Sequence, residues 1–385
     1  MSIKKIITFT LAVSLLSGCI LSSCEKEPEE DIKTGVIENE EIISGNETEE
    51  NDPEVIPEPE PEPIPEPEFF NPLTGLACEK TIETKRPVAM MINNLKQAIP
   101  QLGISNADII YECIVEGGIT RLMAIFSEYK NLPTTGSVRS SRDYYIDLAQ
   151  AHDAIYAHCG GSEEAYSVIA NRKIDNIDGV RGSSSEAAAY WKDQDRVRNM
   201  GYEHASMTNG EKLSEAISNM KFRTEIKEDF AHPLNFADSE IDFTGDIANS
   251  VSISFSGKYS KSFFSYDENT MLYKKGQYDK AHIDAITDET LTFKNILILG
   301  VTYRDTNDEY HHLVMNFEGT GKGYYISNGK AKEIVWSKKD RQTPYKLFEA
   351  DGETPLLLNP GNSYIGFANG LSTVYISDTD DFDLD

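Results

Sequence analysis

Apolar and polar positions change rhythm three times along this chain. A mostly apolar run over residues 6–16 gives way to some fifty positions with few apolar residues, and a globular pattern begins at Asn71. Residues 88–92 form a buried-type apolar run, 107–115 predict a second strand closed by Gly117-Gly118, and 122–126 predict a third. Ser140-Ser141-Arg142-Asp143 then predicts a helix start, with Ser140 and Asp143 as a capping box and Tyr145, Leu148 and Ala149 following. Residues 154–158 read as a strand followed by Gly160-Gly161-Ser162, and Ser162 with Glu163 and Glu164 opens a helix to about Asn171. Further helices are predicted over 185–192 and 208–220, the latter with Thr208 and Glu211 as a capping box. Near residue 245 the helical signals stop. Short strands are predicted over 251–255, 262–266, 271–274, 295–303, 311–317, 324–327, 332–336, 364–367 and 373–376, with Asn328-Gly329 as a two-residue hairpin turn. The pattern therefore predicts an α/β N-terminal domain over 69–240 and a mostly β C-terminal domain over 241–385.

Charge sharpens the division. The chain has 385 residues and a net charge of −28. Residues 25–68 hold 18 acidic residues against Lys26 and Lys33, a net of −16; with the +2 of the first 24 residues, −14 is left for 69–385. Eight of the sixteen prolines lie between 28 and 67. Such a segment has too little apolar surface to fold, so a disordered, extended acidic Pro/Glu tether is expected there. Lys and Arg are scattered through the rest, which excludes a basic nucleic-acid footprint.

The first 24 residues read as an export leader. Lys4 and Lys5 precede the apolar run, which is too short to cross a bilayer. Leu16-Ser17-Gly18-Cys19 and Leu21-Ser22-Ser23-Cys24 both fit a lipobox, in which the cysteine thiol takes a diacylglycerol. Gly18 and the end of the apolar run favour Cys19; the immediate switch to Glu25-Lys26-Glu27 favours Cys24. Either implies anchoring by lipid at the outer face of a cytoplasmic membrane, since two or more acyl chains hold stably. The remaining cysteines, Cys78, Cys113 and Cys159, are odd in number and suit neither a disulfide framework nor a zinc site.

Several segments carry a resemblance. Asn71-Pro72-Leu73-Thr74-Gly75-Leu76, Arg86-Pro87-Val88-Ala89-Met90-Met91-Ile92-Asn93-Asn94, Val115-Glu116-Gly117-Gly118-Ile119-Thr120-Arg121, Val138-Arg139-Ser140-Ser141-Arg142 and His158-Cys159-Gly160-Gly161-Ser162 resemble the YerB-like lipoprotein family of mainly Gram-positive bacteria. Tyr266-Asp267, His282-Ile283-Asp284 and Asn359-Pro360-Gly361 are similar to its C-terminal module. The resemblance implies a lipid-anchored surface protein of two modules and supplies no activity. The chain departs from it at Asn93, where Asp is expected, and at Met200-Gly201-Tyr202-Glu203-His204, where a Pro-His-Asn-like segment is expected.

The richest chemistry gathers between residues 112 and 162. On one strand Glu112 and Glu116 would share a face with Cα atoms ~13 Å apart, too far for the ~5–9.5 Å carboxyl pair of a glycosidase. Each glutamate is expected to meet an arginine instead, either in a buried structural network or at a pocket floor. Arg121 is expected to pair internally, while Arg139 and Arg142, flanking the Ser140 cap, face an anion at the helix start. Gly160, Gly161 and Ser162 repeat that design, or form a plain turn with an N-cap. No Gly-x-x-x-x-Gly-Lys motif supports a nucleotide, and neither a cofactor nor a metal is implied. His158 is the best acid–base candidate, or a satisfied core histidine. Two functions remain. One is a non-catalytic envelope protein that holds an anionic wall polymer or a partner protein. The other is a wall-glycan hydrolase or lyase with Glu116 or Glu112 as general acid.

Overall fold

The computed structural model describes residues 67–256, 260–382 and 384. The expected leader with Cys19 and Cys24, and the expected tether up to residue 66, lie outside the described residues. Strands β1 (Val88–Asn93), β2 (Ile109–Ile114) and β3 (Thr120–Phe126) are buried at every position. Near-continuous apolar strands of this kind belong to a sheet covered on both faces. β3 lies antiparallel between β1 and β2. Helix α1 (Asp143–Gln150) leads to β4 (Ile155–His158), parallel to β1, and α2 (Glu163–Arg172) leads to β5 (Asn176–Asp178), parallel to β4. Helix α3 (Gly210–Asn219) ends this α/β half, burying Leu213, Ala216 and Ile217.

The second half is mostly β. Strands β6 (Ser250–Ser256), β7 (Ser260–Asp267) and β8 (Leu272–Gln277) form an antiparallel meander. β9 (Asn295–Asp305), β10 (Gly319–Ser327), β11 (Lys330–Lys338) and β12 (Lys346–Glu349) are successive antiparallel neighbours. β13 (Ser363–Asn369) and β14 (Val374–Ser377) close the chain. β13 inserts between β9 and β2, parallel to both. One sheet in the order β12-β11-β10-β9-β13-β2-β3-β1-β4-β5 therefore runs through both halves. The smaller sheet, β8-β7-β6-β14, packs on its face. There Phe264 and Phe293 lie with ring centroids 4.7 and 5.7 Å from Tyr364, and a Cβ on Gly366 would come within 2.7 Å of Ile253.

Several local expectations hold. Ser162 caps α2 by accepting from the Ala165 amide, and Asn328 and Gly329 take φ of 52° and 71°, as a two-residue hairpin turn demands. Three helix starts differ. Ser140 is not a cap: α1 begins at Asp143 with Arg142 in the cap position and no side-chain cap. Residues 137–141 are instead extended and bonded to strand ends, and main-chain pairing there overrides the local capping signal. The helix expected from Thr208 begins at Gly210 and is capped by Asn209; Thr208 ends a short strand and donates to the Ala189 carbonyl. The helix expected over 185–192 is one turn, Ser184–Ala187, with a Ser183–Glu186 capping box.

Candidate functional site

Six strands of the large sheet, β9, β13, β2, β1, β4 and β5, run in one direction. Their carboxyl ends therefore share one edge, where ligands of open α/β sheets bind. At this edge the chain wedges residues 137–141 between β1 and β4. Asn93 donates to the Ser137 carbonyl and Arg139 to that of Met91; Cys159 donates to the Arg139 carbonyl and Ser141 to that of Gly160. Arg139 is thus held at the rim by main-chain bonds on both sides, with Ser140 next to it in the chain.

Three arginines converge on this rim. Arg142 grips Glu116 through two hydrogen bonds, Nε to Oε1 at 2.6 Å and Nη2 to Oε2 at 2.7 Å. Burial alone would raise the Glu116 pKa, but the hydrogen bonds and charge of Arg142 outweigh it and hold the carboxyl below its usual range. Arg121 is 6% exposed and donates one hydrogen bond, 2.7 Å to the Ser140 carbonyl. Burial, and after it the neighbouring charge of Arg142, pulls the Arg121 pKa down to about 10. Arg139 binds Glu203 twice, Nη2 to Oε2 at 2.7 Å and Nη1 to the carbonyl at 3.1 Å, while its buried Nε has no partner.

These contacts correct two expectations. Arg142, expected to face an anion from outside, is the internal partner of Glu116. Arg121, expected to pair with a glutamate, meets a carbonyl. Glu112 and Glu116 are also not on one face. β2 ends at Ile114, and the turn at Glu116-Gly117-Gly118, with both glycines at φ 72°, carries Glu116 to the rim.

The Gly160-Gly161-Ser162 turn is built around Asp178. Its carboxylate accepts from the amides of Gly160, Val180 and Arg181 and from the Tyr166 hydroxyl, at 2.9–3.0 Å. Burial opposes ionisation of Asp178, but the His158 charge and these amides overcome it and lower its pKa. His158 is fully buried, with Nδ1 on the Gly160 carbonyl and Nε2 on the Asn176 side chain. Both nitrogens are engaged, so neither is placed for proton exchange with a ligand. Burial pushes the Cys159 thiol up to about 12, which removes a ready thiolate. Among the described residues no three His, Cys, Asp or Glu are placed to hold a metal.

Glu112 faces the other side of β2, into the contact between the two sheets. It meets Lys275 rather than an arginine. Thr120 Oγ1 and Asn94 Nδ2 donate to Oε1 at 2.6 and 3.2 Å, Ser262 Oγ and Tyr364 OH both donate to Oε2 at 2.7 Å, and Lys275 Nζ lies 3.7 Å away. Lys275 continues to His282 Nδ1 at 3.2 Å, and His282 Nε2 to Gln101 Oε1 at 2.7 Å. Burial lowers the Lys275 pKa, with Glu112 opposing; burial and then the charge of Lys275 press His282 well below its usual value. Asp284, also sealed, accepts from the amides of Gly103 and Ser105 at 2.8 Å and so ties this half to the first.

Sequence reasoning missed Lys275 and the full role of His282. A signal existed: period-two alternation puts Tyr273, Lys275 and Gln277 on the buried face of β8, with Lys274 outside. Asn93 and His204, which lie in the two places where the chain departs from the family resemblance, touch each other at 2.9 Å.

A parallel-edged α/β half and a β half joined through one sheet, with an arginine rim and a buried Lys–Glu pin, define a two-part fold with known relatives. Residues 73–223 match the N-terminal domain, and 251–365 the C-terminal domain, of a protein of unknown function (DUF3048). The chain belongs to this YerB-like DUF3048 family. It is 28% identical over 317 residues to YerB of Bacillus subtilis (strain 168), named as a candidate lipoprotein, covering 80% of this chain and 88% of that one. The crystal structure of YerB from Bacillus subtilis superimposes with a TM-score of 0.70 at 25% identity, over 80% of this chain and 99% of the other.

Proposed function

We propose that this chain is a lipid-anchored protein of a Gram-positive-type envelope, on the outer face of the cytoplasmic membrane, that holds an anionic group at its arginine rim. The anion belongs to a wall polymer or an envelope partner, as a phosphate or carboxylate. Cys19 and Cys24, together with the likeness to YerB, support the anchor. The division into 69–240 and 241–385 belongs to the same proposal and brackets the two matched segments. The observation that carries the binding reading is the charge count at the rim: three guanidiniums, one half-buried carboxylate in Glu116, and one exposed in Glu203. Excess buried cation favours an incoming anion, and guanidiniums match phosphate and carboxylate geometry. A wall-glycan hydrolase or lyase finds less support. Glu112 is sealed, Glu116 is held ionised where a general acid needs its proton, and His158 is enclosed.

The test is a melting series of wild type, Arg121→Ala, Arg139→Ala and Arg142→Ala, with and without inorganic phosphate and purified wall fragments. Ligand binding to the native state raises Tm in proportion to occupancy. Wild type should gain stability from one of these anions, and Arg121→Ala and Arg139→Ala should lose that gain. No anion effect in wild type, with large destabilisation by all three variants, would leave a structural ion-pair cluster.

A further inference from the structure

The smaller sheet ends at β14, beside a groove walled by the large sheet. Among the described residues, β14 pairs with β6 on one side and with no strand on the other. Val374 and Ile376 lie opposite Ile253 and Val251, both fully buried, yet stay partly exposed themselves. They face the core, and among the described residues no neighbouring strand covers their outer side. Beside them runs a groove of about 750 Å³. Its opposite wall is the large sheet at Tyr324 and Ala331, and its end is the short strand Asp246–Ile247, where Ile247 is 59% exposed. A strand added beside β14, at the ~4.8 Å spacing of a sheet, would lie in this groove. Its inward side chains would meet Val374, Ile376 and Ile247, and its main chain would take the free edge.

The geometry points to an interaction surface for an extended, basic segment of another protein, bound by strand addition to β14. Open edges recruit strands in this way, with main-chain bonds giving affinity and alternate side chains giving selectivity. Charge selects the occupant. Asp246 and Asp378 line the groove, and neither carboxylate pairs with a cation among the described residues; Glu333 is tied to Lys322 and Lys332 to Glu349. The chain's own tether carries −16 and a second copy of the folded part −14, so both are repelled where a lysine- or arginine-bearing strand is drawn in. The segment reads as alternating apolar and basic residues, apolar inward and basic toward Asp246 and Asp378. Pairing over the four residues of β14 spans ~13 Å, which suits a transient contact.

The test uses the full chain and a fluorescein-labelled ten-residue peptide of alternating valine and lysine, read by anisotropy at moderate salt. Two comparison peptides replace lysine with glutamate or carry N-methyl groups on alternate amides. The valine–lysine peptide should bind saturably, and the other two at least about tenfold more weakly, since one is repelled and the other cannot complete the ladder. Asp246→Asn with Asp378→Asn should weaken binding roughly fivefold, as expected for exposed charge pairs. Ile247→Glu, at an exposed site, should abolish binding without changing Tm. Equal binding of the glutamate or N-methylated peptide would overturn the proposal. So would a dimer in sedimentation that Ile247→Glu dissociates, because the groove would then belong to a second copy.

Discussion

Replacing Lys275 with methionine tests whether the buried polar pin joins the two halves. The substitution keeps the length of the side chain and removes its charge. Glu112 keeps four side-chain donors, Asn94, Thr120, Ser262 and Tyr364, but loses the cation 3.7 Å away. Both charged groups are almost wholly buried, so water screens the pair little. Leaving a buried charge without its partner costs about 3–5 kcal/mol, and the four surviving hydrogen bonds place this case near the lower figure. At about 2–4 °C per kcal/mol, Tm should fall by roughly 6–12 °C. Glu112→Gln should cost a similar amount by stranding the ammonium. The double variant should lose less than the sum of the two single losses, because replacing both charges removes the penalty; with a coupling energy of about 2 kcal/mol it should sit about 4 rather than about 6 kcal/mol below wild type. Urea unfolding at pH 7, followed by the fluorescence of Trp191 and Trp336, measures all four proteins. A Lys275→Met variant within about 1 kcal/mol of wild type, or a strictly additive cycle, would refute the pin.

Other expectations follow from the rim and the leader. Arg142→Ala breaks the two-pronged grip on Glu116 and should cost about 1–3 kcal/mol in urea unfolding; Arg142→Lys should restore only part, since an ammonium cannot reproduce the fork. The Glu116 pKa in the folded state lies below the 4.5 of the free group, so its contribution is present above pH 4.5 and lost as pH falls through the folded value. Glu116→Gln should therefore flatten the acid limb of the stability profile, and superimposable limbs would contradict that. Asp178→Ala unties the amides of Gly160, Val180 and Arg181 and should cost about 2–3 kcal/mol, with faster hydrogen exchange at those three amides as the check. Labelled palmitate should enter the protein and be lost when Cys19→Ala and Cys24→Ala are combined; retained label would refute the lipid anchor.

Periodicity and turn chemistry alone located most of the strands, the cap at Ser162, the Asn328-Gly329 hairpin and the change from α/β to mostly β near residue 245, but missed the short β5 and β12. These are local properties, set by side-chain alternation and by residues that tolerate positive φ, and they need no knowledge of distant neighbours. Composition likewise led to the expectation of a leader and an acidic tether, which lie almost wholly outside the described residues. Sheet order was decided elsewhere. That β13 inserts between β9 and β2 depends on apolar strands more than 200 positions apart finding each other, and a buried apolar run carries no label for its partner. The site followed the same divide. The sequence drew Glu116, Arg121, Arg139 and Arg142 into one neighbourhood because they flank adjoining strands and a turn. It could not choose their partners, since Ser140 gave up its capping signal to sheet bonds and a two-glycine turn moved Glu116 away from the face of Glu112. Lys275 reached Glu112 only because two sheets packed face to face, and burying a lysine becomes tolerable once tertiary contact supplies the carboxylate beside it.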